Sequence, residues 1–333
     1  MAVAMVACAA FNAAAAQGTT VVSSIASGSV VASMQPNAAA PAASPNCSRH
    51  SAMAVVAHQD DGLLFMNPDL YKDIAAGGCL RMVYLTAGER GEGEAYMLGR
   101  EQGVRAAFAF LARQPNDWVE DAVVVNAHHI ARFTLKGNPR VQLWHFRLKD
   151  PWLGKGWGSL TPLSRAELQP GAQIQALGSY GDVYTRADLV TTLAQLIRRL
   201  QPTIIRHQDH TVTIPYTQLC WRCKGHDHPD HIAGAKLVRE AMLAAPGPYV
   251  EVAYVDYPTQ ERPANLPSDA IRLKTEAFQI YARHDYHYCQ PDKVCREPAG
   301  PAAAWVQRVY TVDPGLVSGG IPGVFSPVSA AAK

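Results

Sequence analysis

Short apolar runs alternate along this chain with longer stretches of helical spacing. Met53–Ala57, Cys79–Thr86, Ala122–Asn126, Gln142–Leu148, Thr203–Arg206 and Tyr249–Tyr254 are bounded apolar runs that predict buried strands. Between them, Glu94 to Ala112 carries Met97, Val104, Phe108 and Leu111 on or near one helical face. Thr185-Arg-Ala-Asp188 has the spacing of a capping box and opens a helix through Leu200, which Pro202 stops. Further helices are predicted over Asp230–Ala244 and Ser268–Arg283. The tail from Gly300 is weakly patterned, with a strand expected at Val306 to Val312. Strands alternating with helices predict an α/β fold: a mostly parallel sheet with helices on both faces. In such sheets ligands bind beyond the carboxyl ends of the strands. Residues 149–183 are rich in glycine and lack periodicity, so they are expected to form a long loop at the rim of a cleft.

The first charged side chain is Arg49. The stretch before it is small and apolar, and Ala14-Ala15-Ala16 before Gln17 suits signal cleavage, although the n-region lacks Lys and Arg. Residues 1–46 are therefore read as a signal-like leader and an Ala/Ser-rich linker. Residues 47–333 are read as a single domain of a secreted or periplasmic chain. The leader is broken by Asn12 and Gln17, so no stable membrane insertion is expected. Of seven cysteines, Cys8 leaves with the leader, and the six that remain suit disulfides. The simplest pairing is Cys220–Cys223, Cys289–Cys295 and Cys47–Cys79. A formal net charge of +2 without a basic stripe gives no sign of a nucleic-acid partner. Nothing in the sequence fixes an oligomeric state.

Two segments carry the chemistry. Ala57-His58-Gln59-Asp60-Asp61 closes the first predicted strand, and His226-Asp227-His228-Pro229-Asp230-His231 opens a later helix. Adjacent carboxylates beside an imidazole are costly unless a positive charge neutralises them, and a divalent cation does so. A catalytic zinc site draws three ligands from His, Asp or Glu and keeps one position open. His/His/Asp sites also take other divalent metals.

These segments resemble those of the PIG-L/LmbE-like zinc-dependent de-N-acetylases, and the cysteines and the glycine-rich stretch Gly154–Leu160 resemble the secreted bacterial branch of that family. That family pairs an A-H-P-D-D turn with an H-P-D-H motif on a Rossmann-like fold, and removes acetyl groups from N-acetylglucosamine-containing substrates. The resemblance implies that His58, Asp61 and His231 hold the metal and that Asp60 is the general base. It implies that His228 assists at the oxyanion or leaving group, that Asp230 orients a histidine, and, more loosely, that Arg100 contacts substrate. The implied partner is an amino sugar or glycoconjugate, and the implied cofactor is Zn2+. Gln59 departs from the family's proline, and Gly62 stands where an acidic residue is common, which puts the substrate in question more than the chemistry. A hydrolase of another amide-bearing glycoconjugate and a catalytically silent carbohydrate-binding relative remain as alternatives.

Other residues are left open. Trp144, Trp152 and Trp157 could stack on a sugar or pack a loop. His128 and His129 are read as surface or core, and His207, Asp209 and His210 as candidates at the same sheet edge. His284, Asp285 and His287 are read as the polar end of the last helix.

Overall fold

Ser51–Val56 forms β1, and all six residues are buried. A strand can be apolar throughout only if both faces are covered, and here they are. Met53 and Val55 join one core, while Ala52, Ala54 and Val56 join the other. The computed structural model describes residues 46–47, 50–154, 156–288 and 302–313. The leader through residue 45 and the Cys289–Cys295 pairing lie outside the described residues.

After β1 the chain makes a π-helical turn (Gly62–Met66) and a helix, α1 (Asp69–Ala75). It continues through β2 (Cys79–Thr86), α2 (Glu94–Leu111), β3 (Trp118–Val125), β4 (His128–Leu135) and β5 (Val141–Leu148). Next come α3 (Pro162–Leu168), β6 (Gln173–Gln175), β7 (Val183–Thr185), α4 (Arg186–Leu200) and β8 (Ile204–Gln208). The last elements are α5 (Pro229–Ala244), β9 (Val250–Tyr254), α6 (Ser268–Ala282) and the short α7 (Ala302–Trp305).

The main sheet has seven strands in the order β3-β4-β5-β2-β1-β8-β9. From β5 to β9 every neighbouring pair is parallel, and β4 joins β3 and β5 antiparallel. The architecture is α/β and Rossmann-like, as the alternation predicted. α3, α4 and α5 cover one face, and α1, α2 and α6 cover the other. α2 and α6 approach closely at Gly103, where a Cβ would lie 2.8 Å from the Tyr281 carbonyl oxygen.

The Thr185–Asp188 capping box forms as predicted. Two expectations change. The stretch 149–183 is not one loop: it holds α3, whose own capping box pairs Thr161 with Ser164, and the hairpin strand β6. Its weak periodicity reflects how short those elements are. The strand expected at Val306 to Val312 reduces to a single bridge between Tyr254 and Thr311. Disulfides join Cys47 to Cys79 and Cys220 to Cys223. Among the described residues, no helix is long and apolar enough to cross a membrane.

Candidate functional site

β1 delivers His58 to the carboxyl edge of the sheet, and the turn after it is fixed from several sides. The His58 N–H donates to Asp61 Oδ2 at 2.6 Å. Gln208, the last residue of β8, accepts from the Ala57 N–H at 2.8 Å and donates from Nε2 to Asp61 Oδ2 at 3.1 Å. Gln59 is fully buried and donates to the carbonyls of Thr86 and Ala87, so it ties the turn to the end of β2. Gly62 also faces inward, because a Cβ there would come within 2.7 Å of Met82 Cε. Both departures from the motif therefore face the interior of the protein.

α5 supplies the second half. His228 caps it, its Nδ1 accepting from the Asp230 N–H at 3.2 Å. One turn on, His231 projects toward β1. His58 Nδ1 and His231 Nε2 lie 3.1 Å apart, Asp61 Oδ1 is 3.1 Å from His231 Nε2, and Asp61 Oδ2 is 3.4 Å from His58 Nδ1. Ligand atoms held at about 2.0–2.1 Å by a tetrahedral zinc would be about 3.3 Å from one another. The donor set therefore fits a divalent metal in both chemistry and spacing.

The far nitrogens of the two imidazoles are held as well. His231 Nδ1 meets Asp227 Oδ1 at 2.8 Å, with Asp256 Oδ2 at 3.7 Å. His58 Nε2 faces Asp230 Oδ2 and Asp150 Oδ2, each at 3.5 Å. Asp230 is held in turn by the Thr161 hydroxyl. Burial works against charge on both rings, yet the carboxylates outweigh it. Asp61, Asp230 and Asp150 raise His58 to about 10, and Asp61 and Asp227 hold His231 well above its usual value. Burial likewise opposes the Asp61 anion, but His231 and His58 bring its pKa well below the carboxylate range. Burial, followed by the charges of His58 and His231, keeps His228 neutral. Burial raises Asp150 to about 7; His58 opposes that shift, and Asp230 and Glu89 add to it. So much buried negative charge at one point calls for cations.

Asp60 turns the other way, toward a cavity of about 570 Å³. Its Oδ1 accepts from Arg100 Nη2 at 2.6 Å and its Oδ2 from the Tyr288 hydroxyl at 2.8 Å. Arg100 also lines the cavity, but its other donors reach the Tyr281 hydroxyl and the Gly88 carbonyl, both at 2.7 Å. Its guanidinium thus serves Asp60 directly. The cavity wall is aromatic, with Trp152, Trp157, Trp221 and Tyr257 beside His228.

The tertiary structure sorts the open residues. Trp152 and Trp157 line the cavity, whereas Trp144 is 1% exposed in the core under β5. His128 and His129 begin β4 and stack on Tyr184 and Tyr180. His207 is bound to Glu251 at 2.8 Å within the fold. Asp285 and His287 belong to the cavity and are not merely a polar helix end: Asp285 Oδ1 and Oδ2 accept from Tyr96 and Tyr281 at 2.5 and 2.7 Å. Asp150, Tyr257 and Tyr288 were not singled out from the sequence, and Asp227 was named within its segment without a role. Two of them left a signal there. Asp227 precedes His231 by one helical turn, and Asp150 follows β5 at the same sheet edge that His58 occupies after β1.

No curated protein matches the chain. Solved structures similar to it include 4-carboxy-2-hydroxymuconate hydratase from Pseudomonas putida, with 17% identity and a TM-score of 0.40 over 72% of this chain and 85% of that one. N,N'-diacetylchitobiose deacetylase from Pyrococcus horikoshii shares 16% identity at a TM-score of 0.41, over 73% and 71% of the two chains. A deacetylase of the teicoplanin biosynthesis pathway shares 14% at 0.41, over 71% and 88%. The family model described as PIG-L, GlcNAc-PI de-N-acetylase, matches residues 53–242, which span the segment from β1 through most of α5 and both motifs. By that match the chain belongs to the PIG-L family of GlcNAc-PI de-N-acetylases.

Proposed function

We propose that this chain is a metal-dependent hydrolase that removes the acetyl group from an N-acetylglucosamine-type sugar or conjugate. The observation that carries the reading is the convergence of His58, Asp61 and His231 within 3.4 Å of one another, with Asp60 on the wall of the adjoining cavity. Family membership supports the same reading. His58, Asp61 and His231 would hold the metal, with zinc as the first candidate. When bound, it would supply Lewis acidity toward the amide carbonyl and make water more acidic.

The remaining work falls to the chain's own side chains. Asp60, anchored by Arg100 and Tyr288, takes the proton of the attacking water. His228 accepts at Nδ1 from the helix, so the neutral ring carries its proton on Nε2 and donates it to the developing oxyanion. Asp60 then passes its proton to the departing nitrogen, leaving acetate and a free amine. Asp230 and Asp150 orient His58, and Asp227 orients His231. Arg100, expected to touch substrate, is here a positioning residue for Asp60. The two disulfides support an exported chain.

The test is acetate release from N-acetylglucosamine and N,N'-diacetylchitobiose, with and without a chelator. Release that the chelator abolishes and zinc restores is expected. Chelator-insensitive release, or none from any N-acetyl sugar, would sink the proposal.

A further inference from the structure

Between β8 and α5 the chain has little regular structure, and its Trp221 and His228 line the cavity. It is pinned at Leu219, which is fully buried in the core under α4 and α5. The next residues, Cys220-Trp221-Arg222-Cys223, form a small ring closed by the disulfide. Arg222, inside this ring, has φ +66°, a left-handed conformation that an Arg side chain resists. The Cys220 N–H donates to His226 Nδ1 at 3.1 Å, and the Gly225 N–H to Glu261 Oε1 at 2.7 Å. Four residues of this ring and its sequel are exposed, Arg222 to Gly225, yet Trp221 turns inward and lines the cavity.

Trp221 there meets two other rings. Trp157 lies 5.4 Å away, and Tyr257 lies 5.2 Å away at 76°. Trp157 itself meets the His228 ring edge-on at 5.0 Å. A half-buried indole held against two aromatic rings offers an apolar surface to the cavity that His228 also lines. Such a surface suits the C–H side of a pyranose ring, whereas the carboxylates that line the same cavity suit its hydroxyls.

We infer that Trp221 is a substrate-binding side chain that stacks on a pyranose ring, and that the Cys220–Cys223 disulfide is the clamp that positions it. The inference rests on the cavity being a sugar-amide hydrolase site. A dithiol can reach the ring, because Cys223 is exposed. Reduction breaks the S–S bond. Two electrons and two protons pass from the dithiol to the cysteines, and the dithiol becomes a disulfide. The loop then keeps Leu219 and the His226 hydrogen bond but loses the restraint on Trp221. Substrate affinity should fall, while the proton-transfer groups stay in place.

The experiment measures calorimetric binding of N,N'-diacetylchitobiose together with KM and kcat for its deacetylation. Trp221→Ala should weaken binding about tenfold, with the loss in KM and not in kcat, and Trp221→Phe should recover most of it. The pair Cys220→Ser with Cys223→Ser should weaken binding about threefold, and adding it to Trp221→Ala should cost nothing more. Melting temperatures check that each variant folds; if Trp221→Ala does not, Trp221→Phe against Trp221→Leu gives the same comparison. Equal binding by wild type and Trp221→Ala overturns the stacking role, and additive losses overturn the clamp. If binding responds as stated but no acetate is released, the hydrolase reading fails and the stacking role stands. If acetate is released at a KM that ignores Trp221, the reverse holds.

Discussion

Asp60 and Asp61 are adjacent in sequence and face opposite ways, and the proposed function gives them different tasks. Asp61 is held by the His58 N–H and Gln208 so that it faces the two imidazoles, while Asp60 is drawn to Arg100 and Tyr288 at the cavity. Asp60→Asn keeps the size of the side chain and one of its two acceptors, and loses the base. Turnover should fall about 10²–10⁴-fold with bound zinc unchanged, read by acetate release and metal analysis on the same sample. Wild-type turnover in that variant would refute the assignment. Asp227 acts one layer out, on His231 Nδ1. Asp227→Asn should weaken zinc binding about 10–100-fold in a chelator competition, and unchanged affinity would mean that it serves the fold alone.

At the scale of elements, β1 and α5 bring the proposed metal donors together, and α2 and α6 keep the proposed base in place. The Gly103 contact seats Arg100 of α2 beside Tyr281 of α6. α6 also carries Lys274, 1% exposed, whose Nζ donates to the carbonyls of Trp305 and Arg308 at 2.9 and 2.5 Å and so docks the segment after α7. Burial lowers its pKa from 10.5 to about 7, with Asp69 opposing the fall. Between these two values the unfolded chain holds the proton and the folded chain has released it. The contribution of Lys274 to stability therefore rises with pH across that window, and the cost of burying its charge is fully present below it. Urea unfolding of wild type and Lys274→Met should show the stability difference moving in favour of wild type from about pH 7 to about pH 10. A difference that ignores pH would contradict the burial of a titrating amine.

At the scale of the molecule, the proposed metal donors come from a strand end and a helix start, and His58 and His231 are 173 residues apart in sequence. A ligand that bridges such distant segments binds the folded chain and not the unfolded one. Zinc at about 100 times its Kd should add about 3 kcal/mol, or roughly 5–10 °C in melting temperature for a chain of this size. The shift should vanish in His58→Ala. An equal shift in that variant would place the metal elsewhere.

The sequence by itself determined the elements with strong periodicity and the two motifs, because both are local. The alternation of apolar runs and helical stretches specified a mostly parallel sheet, and the rule that ligands bind at the strand carboxyl ends brought residues 58–61 and 228–231 to one edge. The residues it left out answer to contacts no local pattern encodes. Gln59 and Gly62 read as departures at the substrate, and only packing against Thr86, Ala87 and Met82 shows that they face inward. Asp285 reads as the polar end of a helix until Arg100, Tyr96 and Tyr281 close around it. Trp144 and Trp157 carry the same side chain, and the sheet puts one in the core and the other on the cavity wall. Tertiary structure decided these cases because burial and hydrogen bonding are set by what arrives from elsewhere in the chain, whereas a motif holds its spacing wherever the fold carries it.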